Sequence, residues 1–169
     1  MSSKSREVLI SEMASVMREF MAQAVLFQDA VAKWTGLNSV DVQCAGLLML
    51  EGPLTPSELA RRTGLTHGGA ITAVIDRLEA AGLVHRTRDR VDRRRVLVTP
   101  EADVFKQRIS PAYERVSARW HEYLATLDDD QVALLTEAIR VAAAIDREEI
   151  GLLRSTSFAD RSTAAGHPV

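Results

Sequence analysis

Six arginines crowd into residues 85–95: Arg86, Arg88, Arg90, Arg93, Arg94 and Arg95. A guanidinium is always charged and donates from a rigid planar fork, so its natural partners are phosphate and carboxylate. Over residues 54–99 there are nine arginines against five acids, a local net of +4 that leaves −6 for the rest of a chain whose overall charge is −2. Such asymmetry concentrates positive potential on one part of an acidic molecule. A nucleic-acid backbone would suit that part; the plain alternative is a solvated charged hairpin with no partner.

Other chemistries find little support. Cys44 is the single cysteine, which rules out an intrachain disulfide and a multi-cysteine zinc site. It reads as a small apolar filler on a helix without evident cationic neighbours, the alternatives being an oxidisable thiol or an intermolecular disulfide. His67, His85, His121 and His167 lack metal-ligand spacing. The acids Asp128, Asp129 and Asp130 read as cap and dipole partners of a helix start. No nucleophile and base fall together, and no glycine-rich phosphate loop occurs, so no enzyme, cofactor or metal is expected. No apolar run approaches the ~18 residues of a membrane span, and the start, MSSKSREVLISEM, lacks a signal-peptide core. The expected location is the cytoplasm, away from any membrane.

The elements that would position the arginines follow from pattern. Residues 54–99 read as two short helices joined at a glycine turn and followed by a hairpin. Thr55, Pro56 and Glu58 make a capping box with proline at the first helical position, and Gly64 supplies the exit. Thr66 caps the next helix, which runs to about Ala81 with Ala70, Ile71, Val74, Ile75 and Leu78 inward. His67, Gly68, Gly69, Thr72, Ala73, Asp76 and Arg77 are left outward or flanking. Its first residues are small, which lets the backbone approach a phosphate or a groove floor closely. Residues 83–88 and 96–99 alternate as paired strands, and the seven residues between them are too charged to bury.

On the flanks, apolar residues from Ile10 to Trp34 recur at steps of three and four, giving one helix of ~40 Å. That exceeds what a domain of this size needs for its own core, so part of the stripe is expected to pack on a second subunit. A monomeric core is the alternative. Gly36 ends this helix, Asn38 or Ser39 caps the next, and Gly52-Pro53 breaks it. A helix after Pro100 carries Pro111 inside it and is expected to kink near Arg108. A last helix starts at Asp128, and the Ser/Ala/Thr/Gly-rich tail from Ser155 is expected to fray.

The run LTPSELARRTGLTHGGAITAVIDRLEAAGLV, the D-x-R pair Asp92 and Arg94, and the VLVTPEA exit resemble the MarR family of winged helix-turn-helix transcriptional regulators. The strong match covers about 50 residues. The resemblance implies a mainly α fold with a small β-hairpin wing and terminal dimerisation helices. It also implies a homodimer whose two winged lobes grip a pseudo-palindromic duplex, released by a small aromatic or phenolic effector or by thiol oxidation. Residue by residue, it puts Thr66 and Thr72 on phosphates or base edges and the helix from His67 in the major groove. Arg94 would enter the minor groove, with Asp92 holding the wing. Many members carry a base-reading arginine or lysine where this chain has Ala73, which shifts weight to His67, Arg77 and the wing.

The expected organisation is a dimerisation helix (1–37), a winged helix-turn-helix domain (38–100), two dimerisation helices (101–154) and a tail (155–169). The expected function is a sequence-specific transcriptional regulator, in the first instance a repressor, with double-stranded DNA, a second copy of the chain and an aromatic effector as partners. The DNA-contacting set would be Thr66, His67, Gly68, Gly69, Thr72, Ala73, Arg77, Arg88, Arg90, Asp92, Arg93, Arg94 and Arg95. Met17, Phe20, Trp34 and Trp120 are the apolar walls available to an effector. The competing reading is a winged-helix module for protein contact without specific DNA binding, for which an uncharged or acidic wing would be expected.

Overall fold

The structure is a computed structural model that describes residues 3–65 and 68–155. Among them are seven helices and a two-stranded sheet, in two compact units, Met1–Glu114 and Arg115–Val169.

In the first unit α1 (Ser3–Thr35) is the long helix that the apolar periodicity requires. It leads through Gly36, in the left-handed region at φ +72°, to α2 (Ser39–Glu51). Asn38 caps α2, its side-chain oxygen accepting from Asp41 N at 2.9 Å. The helix α3 (Pro56–Thr63) opens with the expected capping box and closes on Gly64 in the left-handed conformation. Then come α4 (Gly69–Ala80), β1 (Val84–Arg88) and β2 (Val96–Pro100), the strands antiparallel with Arg86 opposite Val98. Leu54 adds an isolated bridge to Val98, with backbone bonds in both directions. That bridge has no sequence signal, since a single paired residue has no periodicity.

The core lies in this unit. Val31 and Ala32 of α1, Val42, Cys44, Ala45 and Leu48 of α2, and Leu59 and Ala60 of α3 are buried in it. So are Ile71, Val74, Ile75 and Leu78 of α4, with Leu83, Val84, Val98 and Ile109. The end of α1 therefore belongs to the same core as the hairpin. Ala70, expected inward, is exposed, because α4 begins only at Gly69 and Ala70 occupies its unpacked first turn.

The helix after Pro100 is two helices. In α5 (Ala102–Arg108) and α6 (Ser110–Leu124) the break falls at the buried Ile109. Pro111 has no amide to offer the carbonyl four residues back, and Ala112 N bonds Ile109 O at 3.1 Å instead. Tyr113 closes edge-on against Phe27 of α1, ring centroids 5.3 Å apart.

The second unit holds the rest of α6 and α7 (Asp129–Ser155). Asp128 and Gln131 form a reciprocal box at the start of α7, at 2.8 and 3.0 Å. No described residue of α6 or α7 is buried, and Leu134, Ile139, Val141, Ile145, Ile150, Leu152 and Leu153 stand exposed. The expected frayed tail lies outside the described residues beyond Ser155, and no described helix is long and apolar enough to cross a membrane.

Candidate nucleic-acid interface

The hairpin tip is built by two aspartates. Asp89 Oδ1 accepts from Val91 N at 2.8 Å, and Asp92 Oδ1 accepts from Arg94 N at 3.0 Å. Backbone bonds from Asp89 N to Arg95 O and from Arg95 N to Asp92 O close the turn. The carboxylates are thus occupied with backbone amides. Arg90, Arg93 and Arg94 are exposed and make no ion pair among the described residues. Arg88 Nη1 reaches Arg93 O at 3.3 Å.

Other arginines of the same stretch are held against the fold. Arg95 Nη2 lies 3.2 Å from Glu58 Oε1, while Glu58 Oε2 accepts from Thr55 N and Oγ1 at 2.8 and 2.7 Å. The Thr55 hydroxyl and amide hold the Glu58 carboxyl below its ordinary 4.5, with Arg95 adding to the effect. Arg86 on β1 grips Asp76 Oδ1 at 2.5 Å and Glu79, both on α4. Arg77 turns back onto Asp41 of α2, Nε to Oδ2 at 2.9 Å and Nη2 to Oδ1 at 2.6 Å. Asp41 is 1% exposed and is the buried charged residue of the core, whereas the Arg77 side chain keeps 46% of its surface in water. Pattern gives no hint of this pair: an acid in a helix's first turn usually answers to the dipole and solvent.

The outward face of α4 is small and neutral. Gly68 is its N-cap, at φ +111° and without a side-chain cap bond. A Cβ on Gly69 would meet nothing within 4 Å among the described residues. Thr72 is exposed, its hydroxyl bonded to Gly68 O at 3.1 Å, and Ala73 is exposed beside it. The cap position expected at Thr66 falls at Gly68 instead, because α4 begins only at Gly69; Thr66 and His67 themselves lie outside the described residues.

Of the apolar walls suggested for an effector, three lie on α1 and one, Trp120, on α6. Phe20 and Trp34 are exposed on α1, and Met17 is half-buried. Met17 and Trp34 are ~26 Å apart along the helix, too far to line one small-molecule pocket in one protomer. Trp120 stands edge-on to Tyr123 and shares an open cleft of about 340 Å³ with it, Val116 and Arg119. Cys44 is fully buried, and burial pushes its thiol up to about 11, so it carries almost no thiolate at neutral pH.

A two-stranded wing after a capped helix-turn-helix is a fold with known relatives. The sequence model of the MarR family matches residues 35–95. The uncharacterized HTH-type transcriptional regulator YcgE of Bacillus subtilis (strain 168) is 33% identical over 150 residues, which is 89% of this chain and 96% of YcgE. The chain belongs to the MarR family. Solved structures agree on the fold of this MarR-family regulator. A MarR family protein from Bacillus stearothermophilus superposes with a TM-score of 0.64 at 20% identity, over 83% of this chain and 97% of the other. Transcriptional regulator Tm0710 from Thermotoga maritima gives 0.59 at 19% identity, over 83% and 98%. As a member of a family of transcriptional regulators, the MarR-family chain is not an enzyme.

Proposed function

We propose that this MarR-family regulator acts in the cytoplasm as a homodimeric repressor on a pseudo-palindromic operator. The exposed wing-tip cations Arg90, Arg93 and Arg94, on a turn whose acids bind backbone amides, carry the reading. Arg94, with Asp92 holding its amide, enters the minor groove, where width and potential are read more than base identity. Arg88 and Arg93 follow the flanking phosphates. In the major groove α4 approaches with its small N-terminal residues Gly68, Gly69, Thr72 and Ala73, and with Thr66 and His67 immediately ahead in the sequence. Arg77 supports this helix from behind through Asp41, and Arg95 steadies the wing through Glu58.

The dimer is supported by the exposed apolar residues of α1 and α7, among them Ile10, Met13, Phe20, Ile139 and Ile145. Two-fold symmetry then sets half-sites about one duplex turn, ~34 Å, apart. A small aromatic effector would find aromatic surface at Trp120 and Tyr123, beside the Arg119 cation.

The test is a selection of bound duplexes from a random library, followed by titration of the selected site at increasing salt. A palindrome should emerge, and affinity should fall steeply with salt. Arg93→Ala should lower the log-log slope by ~0.9 for each phosphate that is no longer neutralised. No enriched palindrome, or a flat salt response, overturns the reading.

A further inference from the structure

The arginines of the hairpin divide by what they touch, and Arg86 stands apart. It is one of the two arginines on a regular strand, and its guanidinium bridges two carboxylates one turn apart on α4: Asp76 through Nη2 at 2.5 Å, and Glu79 through Nη1. Its own amide also donates to Glu79 Oε1 at 3.3 Å. Two residues further along the same face of β1, Arg88 donates to the Arg93 carbonyl in the tip. One face of β1 is therefore a continuous link from the back half of α4 to the loop that displays Arg93 and Arg94. The other side of the hairpin is fastened separately, through Arg95 to Glu58 on α3.

We infer that Arg86, gripped by Asp76 and Glu79, is a positioning residue for sequence discrimination: it fixes the wing tip in phase with α4 so that both engage only a duplex of matching groove spacing. This rests on the DNA-binding reading above. Nonspecific binding needs only cations near phosphates, and a loosened wing still supplies them. Specific binding needs two elements held at one separation, because a misplaced group forfeits its hydrogen bonds without saving the ordering cost. The network spends charge to do this. Asp76 and Glu79 are acids on the helix proposed to approach DNA, where they would only repel phosphate if they served no other purpose.

Three variants are compared with the wild-type chain on the selected operator and on a scrambled duplex of equal length, at several salt concentrations, with thermal unfolding recorded in parallel. Arg86→Gln should bind the operator about tenfold more weakly and the scrambled duplex within about twofold of wild type, with an unchanged salt slope. Arg86→Lys should recover only part of the loss, since one ammonium cannot bridge both acids as a fork does. Asp76→Asn should also lose operator affinity, although it removes a negative charge from α4. Equal losses on both duplexes with a slope lowered by ~0.9 would make Arg86 a phosphate contact and overturn the proposal. So would an Asp76→Asn variant that binds both duplexes more tightly. If Arg86→Gln unfolds, Asp76→Asn, altered at a mostly exposed side chain, decides alone. Wild-type protein that fails to distinguish the two duplexes would remove the DNA-binding reading itself, and this inference with it.

Discussion

The winged part of the unit Met1–Glu114 and the unit Arg115–Val169 carry the same kind of amphipathic pattern and resolve it oppositely. In the first, the apolar positions of α2, α3, α4 and the hairpin close on one another until Leu48, Leu59 and Leu78 have no exposed surface. In the second, α7 repeats apolar residues at helical spacing through 27 residues and buries none. Periodicity tells which face of a helix is apolar but is silent on whether the covering surface comes from the same chain. The face left open in α7 is the kind that a second copy covers.

The largest effect should therefore come from charging that face. Ile139→Glu with Ile145→Glu places four carboxylates in the proposed two-fold interface, in place of isoleucines whose burial there would stabilise by about 1.5–3 kcal/mol each. The double variant should run as a monomer at concentrations where the wild-type chain is dimeric, by light scattering after size exclusion. An unchanged mass would place the dimer elsewhere or remove it.

Next in size is a test of how the first unit holds the buried charge of Asp41. Arg77→Ala leaves the Asp41 carboxylate inside without a partner, at a cost of about 2–3 kcal/mol. Asp41→Asn leaves a half-exposed guanidinium that can turn to water, and should cost less than about 1 kcal/mol. Urea unfolding of the two variants should show that asymmetry. Equal and small losses would mean the pair holds nothing, and Arg77 would return to the surface set.

The pair also marks what the sequence can and cannot disclose. Capping at Thr55 and Asn38, the glycine exits at Gly36 and Gly64, and the buried face of α4 from Ile71 onward are legible, because each depends on residues within a turn of one another. The charged tip of the hairpin is legible for the same reason. What escapes is long-range: Asp41 lies 36 residues from Arg77, and Glu58 lies 37 from Arg95. An arginine count treats all nine as equivalent cations. Folding assigns Arg62, Arg77, Arg86 and Arg95 to carboxylates on other elements. Helix ends are less legible where proline intervenes, since Pro111 starts a new helix instead of bending an old one.

A smaller effect separates stability from binding within α4 itself. Gly69→Ala adds a methyl that meets nothing among the described residues, and alanine is the better helix former. The variant should unfold at a slightly higher urea concentration, by about 0.4–1 kcal/mol. If the helix start approaches a groove as closely as its small residues allow, the same variant should bind the operator more weakly. Gains in both would show that Gly69 does not face DNA.

The smallest effect concerns the capping box that fastens the wing. Glu58 is held below its ordinary 4.5, first by the Thr55 hydroxyl, then by the Thr55 amide, so folding favours its ionised form. A depressed carboxyl contributes stability that is fully present above the unfolded value and is lost as pH falls through the folded one. Melting temperature should therefore decline on acidification below about 4.5, and Glu58→Gln should flatten that part of the decline. The glutamine still accepts from the Thr55 amide, so the variant should remain folded at neutral pH, where it should lose the Arg95 tie and with it some operator affinity. A Glu58→Gln chain with the wild-type acid profile would show that the carboxyl is not coupled to folding.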